Sequence, residues 1–167
     1  MAFRYETPYL DLEIYRLLTI LEASPALAAF DGDIESDKRK LEFLRGWEFT
    51  EISRIVVSLA AIIRSSLDAD PVGSGDSYYG LELQRPVGVL TPDLLGRPEK
   101  QEPLDFREAC NKVIHAKSVE PKTAPASRGT VPPLTGWLVL YGDHRGKDWR
   151  ADLDLRDYAF AALTLKP

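Results

Sequence analysis

The amino-acid sequence predicts an α+β protein that is mainly helical. We expect a helical bundle around one long central helix, a small C-terminal antiparallel β-hairpin or three-stranded sheet, and a last short helix. In three segments, 7–23, 34–67 and 103–117, apolar residues recur at intervals of three and four, which is the period of an amphipathic helix. Near the C-terminus the period changes to strict alternation, which is typical of a half-buried strand. The 167 residues contain no internal repeat, so we assign 1–167 to a single domain.

The composition is that of a globular protein, with 44% hydrophobic and 28% charged residues. No apolar run approaches the roughly 20 residues of a membrane span. The N-terminal residues Met1 to Glu6 lack the basic and apolar segments of an export signal. We therefore expect a cytoplasmic protein with no membrane partner. The net charge of −5 argues against sequence-independent nucleic-acid binding, although a local basic groove for RNA remains compatible with it.

Helix signals define the first half of the chain. Thr7-Pro8 is an N-cap followed by proline at the first helical position, and it predicts a helix that ends near Ala23 before a short further turn. Helical spacing from Ile34 to Leu67 predicts one long helix, kinked at Gly46, or two helices in line. Its segment 55–63 is apolar nearly all round, so it should be buried on most sides.

The middle of the chain predicts little regular structure. Residues 68–80 form a predicted loop, and closely spaced prolines make 81–103 irregular apart from an edge strand at 81–84 or 87–90. A further loop is predicted at Ser118–Leu134, although Ala116–Glu120 is the nearest candidate for a third strand.

A β-hairpin and a helix are predicted at the C-terminus. Trp137–Tyr141 is the first strand, 142–147 the turn, and Trp149–Leu155 the alternating second strand. A two-stranded hairpin is marginal alone, so its apolar face should lie against the helices. Asp154 then caps a helix over Leu155–Thr164.

A motif helix from Pro103 to Lys117 carries the candidate functional site. Arg107, Asn111 and His115 are four residues apart and fall on one stripe of that helix, so a cation, an amide and an imidazole stand together. The face beside this stripe is apolar, and we interpret its Cys110 as a small core residue.

The run Cys110-Asn111-Lys112-Val113-Ile114-His115 resembles the motif of HEPN-like proteins. Proteins of that superfamily are all-helical and usually dimeric, and many are metal-independent ribonucleases of toxin–antitoxin and phage-defence systems. Their motif is Arg, often followed by Asn, with His four to six residues after the Arg. Asn111 and His115 match this pattern, whereas Cys110 stands at the Arg position. The resemblance therefore implies a non-catalytic module that acts through homodimerisation, a protein partner or RNA.

An active ribonuclease is the first alternative. His115 would remove the 2′-hydroxyl proton, and Arg107, one helical turn earlier, would supply the missing guanidinium. A second alternative is a small-molecule-binding protein whose pocket lies under 81–103. The structural alternative is that Asn111 and His115 satisfy backbone groups, Arg107 pairs with an acidic neighbour, and Glu108 and Lys112 form a surface pair.

The sequence does not support the other sites that its motifs suggest, and we expect no cofactor and no metal. A single cysteine with His115 and His144 cannot supply the usual zinc ligands, and His144 in the hairpin turn should be solvated. Residues 31–42 resemble a calcium loop but lack glycine at its sixth position. Residues 73–75 are glycine-rich but lack the Gly-Lys-Ser/Thr of a phosphate loop.

We expect self-association, because the apolar surface of 55–63 exceeds what one short bundle hides.

Overall fold

The computed structural model describes residues 7–29, 35–69, 81–125 and 131–164. Residues 81–83 are helical. The other helices and strands, in chain order, are α1 (Thr7–Ala28), α2 (Glu35–Ala69), β1 (Pro86–Thr91), β2 (Glu102–Asp105), α3 (Phe106–His115), β3 (Ser118–Thr123), β4 (Leu134–His144), β5 (Lys147–Asp154) and α4 (Leu155–Thr164). The predicted α+β class is confirmed. The expectations for 31–34 and 70–80 lie outside the described residues.

The sheet is larger than the hairpin or three-stranded sheet that the sequence predicts. It has five antiparallel strands in the order β2-β1-β5-β4-β3. The β4–β5 hairpin is confirmed, but its loop is two residues long, Arg145-Gly146, with φ of 52° and 77°. Positive φ at both positions is the type I′ geometry, whose twist matches that of the strands. Part of the predicted loop at 118–134 is β3, which contains most of the candidate third strand.

The proline-rich segment contributes two strands, which the sequence analysis missed in part. The strand predicted at 87–90 exists as β1, but it is not an edge strand, because it pairs with both β2 and β5. The edge strand on this side of the sheet is β2, which contains Pro103. Pro86 is the first residue of β1, and both locations tolerate a residue without an N–H group. The spacing of the prolines therefore did not prevent strand pairing.

Two helix boundaries differ from the prediction. α1 continues through Pro25 to Ala28 instead of ending near Ala23. The buried hydroxyl of Ser24 accepts a hydrogen bond from Leu134 N at 3.0 Å and another from Arg45, and these tertiary contacts hold the turn that contains the proline. The motif helix begins at Phe106 and not at Pro103, because Pro103 belongs to β2.

Other helix predictions are confirmed. α2 is one continuous helix that includes Gly46. Asp154 caps α4, since its Oδ1 accepts hydrogen bonds from Arg156 N at 2.9 Å and Asp157 N at 3.2 Å. Within the described residues, no helix is long and apolar enough to span a membrane.

The hydrophobic core lies between the helices and one face of the sheet. Each helix contributes buried apolar residues, and the inward side chains of β4 and β5 alternate with outward ones as the pleat requires. These inward residues are Leu138, Leu140, Trp149, Ala151 and Leu153.

The apolar segment 55–63 of α2 is packed into this core. It leaves mainly Val57 and Ala61 exposed, so the surface argument for self-association does not hold there. Exposed aromatic residues lie instead on the first half of α2, where Phe43 and Trp47 meet edge to face at 6.1 Å. The homodimer itself stays a prediction.

Candidate functional site

α3 is anchored at its N-terminus and along its inner face. Asp105, predicted in the first turn, is the N-cap, and its Oδ1 accepts a hydrogen bond from Glu108 N at 2.7 Å. On the inner face, Cys110 Sγ lies 3.6 Å from the hydroxyl of Tyr158. Burial raises the pKa of the Cys110 thiol to about 12, so it remains protonated. Cys110 is a core residue, as predicted.

The outer face of α3 forms one wall of an open cleft of about 780 Å³, here named the α3 cleft. The other walls come from the second half of α2 and from the β4–β5 hairpin. The lining residues are Arg64, Glu108, Asn111, Lys112, His115, Asp143, His144 and Trp149.

The structure brings together two of the three predicted site residues. Asn111 and His115 line the α3 cleft, whereas Arg107 is exposed and does not line it. Asn111 Nδ2 donates a hydrogen bond to Glu108 Oε2 at 3.0 Å, and Lys112 Nζ lies 3.2 Å from Glu108 Oε1. The Glu108–Lys112 pair of the structural alternative is therefore present, but Asn111 bonds a carboxylate and not a backbone group.

Two lining residues come from parts of the chain that sequence reasoning did not connect with the motif. His144 is exposed, as predicted, but it lines the α3 cleft with His115. Both histidines of the chain therefore share one cleft. Arg64 enters from α2, where its Nη2 lies 3.4 Å from Asp68 Oδ1. No local pattern links these two residues to α3, so only the tertiary fold could identify them.

The lysine of the cleft is held in a defined position. Lys112 has a side chain only 14% exposed, and its Nζ lies 4.5 Å from the centroid of the Trp149 ring. This cation–π contact and the Glu108 carboxylate hold the ammonium group at the cleft wall. Because the Lys112 side chain is already ordered, it loses less conformational entropy when a ligand binds.

The formal charges of the α3 cleft balance when its imidazoles are neutral. Arg64 and Lys112 are offset by Glu108 and Asp143. Asp143 is also paired with Lys117, which does not line the cleft. The hydrogen bond from Lys117 lowers the pKa of the Asp143 carboxyl. Protonation of the histidines would therefore make the cleft positive.

The α3 cleft contains several side chains that can donate hydrogen bonds to an anion. Among the described residues, no group of three His, Cys, Asp or Glu side chains is arranged to hold a metal ion. Imidazole, ammonium, guanidinium and amide groups are instead the side chains that bind phosphate and transfer protons.

Comparison with protein-family models, with curated proteins and with solved structures finds no match to this chain.

Proposed function

We propose that this protein is a HEPN-like module that binds RNA through the α3 cleft, with an RNA phosphate as the group that is recognised. One observation carries the proposal: Asn111 and His115, the residues that match the HEPN-like motif, line the same cleft as Arg64, Lys112 and His144. A guanidinium, an ammonium, an amide and two imidazoles can all donate hydrogen bonds to phosphoryl oxygens.

In this proposal Arg64 takes the role that sequence reasoning gave to Arg107. Arg64 lines the cleft, with 31% of its side chain exposed, whereas Arg107 does not line it. A planar guanidinium binds phosphate through two parallel hydrogen bonds, which a point charge cannot reproduce. The cation that the Cys110 position lacks therefore comes from α2 and not from the preceding turn of α3.

Each histidine should contribute to RNA binding, because each lines the α3 cleft and its ring can donate a hydrogen bond to a phosphoryl oxygen, so His115→Ala and His144→Ala should each weaken binding. Fluorescence anisotropy with a labelled single-stranded RNA measures this directly. Binding as tight in both variants as in the unmodified protein would remove the histidines from the proposal.

A matched pair of arginine variants tests where RNA binds. Arg64→Gln and Arg107→Gln remove the same charge, but only Arg64 lines the cleft. Hydrogen bonds to charged groups are worth about 1.5–3 kcal/mol, so Arg64→Gln should weaken binding by about tenfold or more. Arg107→Gln should change it by less than about threefold, through general electrostatics. Equal losses in the two variants would contradict binding in the cleft.

The second histidine favours one further candidate, a metal-independent ribonuclease. One imidazole would remove the 2′-hydroxyl proton as the 2′-oxygen attacks phosphorus, and the other would protonate the departing 5′-oxygen as the P–O5′ bond breaks. Arg64 and Lys112 would stabilise the negative charge on the phosphoryl oxygens. The products are a 2′,3′-cyclic phosphate and a 5′-hydroxyl.

The two candidates differ in a cleavage assay with single-stranded RNA in the presence of EDTA. Cleavage that requires both His115 and His144, and persists in Arg107→Gln, would establish the ribonuclease. Stable RNA binding without cleavage would support the non-catalytic module, which is what Cys110 at the motif's Arg position favours.

Light scattering at high micromolar concentration tests the predicted homodimer, and a monomer mass there would count against the HEPN-like assignment.

A further inference from the structure

The face of the sheet opposite the helices carries a second groove of about 700 Å³, here named the outer groove. It is independent of the α3 cleft and of the function proposed for that cleft. Alternation along β4 and β5 directs Trp137, Arg150 and Asp152 outward, while their neighbours Leu138 and Trp149 point into the core. The pleat therefore places an aromatic ring and two charged groups on one open surface.

The connection between β1 and β2 forms an apolar wall of this groove through Leu94 and Pro98. This connection is fixed to the sheet, since Leu94 N donates a hydrogen bond to Asp148 O at 2.8 Å. Asp93 Oδ2 lies 3.3 Å from Lys147 Nζ in addition. A wall held by such contacts gives a groove that is formed before any ligand arrives.

The charges at the other end of the groove do not cancel. Asp152 Oδ1 accepts a hydrogen bond from Arg150 Nη2 at 2.8 Å and also pairs with Lys122. Among the residues that line the groove, two cations share one carboxylate, so the lining carries one positive charge in excess, and the negative charge of Glu120 on β3 also acts on Arg150. The Nε of Arg150 is buried and has no hydrogen-bond partner among the described residues. Because Nε has no accessible surface, a ligand in the groove would meet the exposed part of the Arg150 side chain, which is 36% accessible, and not Nε itself.

We infer that the outer groove binds a small planar organic anion, meaning an aromatic or heteroaromatic ring that carries a carboxylate or a phosphate. The ring fits against Trp137 and the wall formed by Leu94 and Pro98, and the anionic group fits on Arg150 and Lys122. A neutral ring would leave the excess positive charge of the groove lining without a partner. An anion without a ring would leave the apolar wall in water.

The test uses two matched pairs of probes: 2-naphthoate with 2-naphthalenemethanol, and adenosine 5′-monophosphate with adenosine. The signal is the indole N–H resonance of Trp137 in the ¹⁵N-labelled protein, identified by its loss in Trp137→Phe. We expect a saturable shift with at least one of the two anions. Its uncharged counterpart should bind about tenfold more weakly, because it cannot accept the charged hydrogen bonds. The anion that binds more tightly assigns the ligand to the carboxylates or the phosphates.

Charge variants complete the test. Arg150→Met and Lys122→Met should each weaken binding of the anion by about tenfold. Arg107→Met removes the same charge on the helical side of the sheet and should leave it unchanged. Lys122 lies on the edge strand β3, so its variant tests the inference even where Arg150→Met unfolds the chain. The inference is wrong if neither anion moves the Trp137 signal, if the neutral probes bind as tightly, or if both folded variants bind as the unmodified protein does.

Discussion

A methyl group added at two glycines should change stability in opposite directions. Gly46 lies on the exposed surface of α2, and a Cβ at that position would meet nothing within 4 Å. Alanine loses less conformational entropy than glycine in a helix, so Gly46→Ala should stabilise the fold by about 0.5–1 kcal/mol. The same substitution at Gly142 should destabilise the fold, because Gly142 lies directly opposite Trp149 in the β4–β5 ladder.

A Cβ at Gly142 would lie 2.6 Å from Cε2 of Trp149 and closer still to Cζ2. The indole is 2% exposed and has Lys112 on its ring, so it has little room to move. Overpacking of this kind costs about 1–3 kcal/mol. The indole and Lys112 would both have to shift, so Gly142→Ala should also disturb the wall of the α3 cleft.

Urea unfolding followed by circular dichroism measures both changes as differences in the free energy of unfolding, and a thermal scan measures them as shifts in the melting temperature. In a chain of this size about 1 kcal/mol corresponds to about 2–4 °C, so Gly46→Ala should raise the melting temperature and Gly142→Ala should lower it by a larger amount. The double variant Gly142→Ala, Trp149→Phe removes the atoms Cζ2 and Cη2 and so reduces the overlap, and it should be less destabilised than the sum of its single changes. Strict additivity, or a neutral Gly142→Ala, would refute the packing argument.

Three further predictions follow from the same core and sheet. Trp149→Ala should cost about 3–5 kcal/mol of unfolding free energy, because it removes a fully buried ring; a midpoint close to that of the unmodified protein would place the ring in solvent. Cys110, the only cysteine, should not react with a thiol reagent near pH 8 until the chain is unfolded, because burial raises its pKa to about 12. Burial opposes ionisation of Asp152, but hydrogen bonds from Arg150 and Lys122 outweigh it and lower the pKa of the carboxyl. Its contribution to stability is therefore present above the unfolded pKa of about 4 and lost as pH falls through the lower folded value. Asp152→Asn should flatten this acid limb of the stability curve, and an unchanged limb would show that the pair contributes little.

Features that depend on residues within a few positions of each other could be predicted from the sequence. The long α2, the β4–β5 hairpin, the Asp154 cap and the core position of Cys110 all follow from periodicity or from capping. Each signal is carried by one local segment, so no knowledge of the tertiary fold was needed. The pairing of Asn111 with His115 in one site followed in the same way from helical spacing.

The rest was decided only by the tertiary structure. The sequence offered β1 only as one of two candidate edge strands, and its location between β2 and β5, which made a proline-rich segment part of the sheet, was decided by pairing with those strands. The α3 cleft depends in the same way on Arg64 and His144, which belong to other elements and enter it because α2 and the hairpin pack around α3. Strand pairing and the convergence of side chains are contacts between distant segments, and their free energy comes from burial that no local pattern of residues encodes.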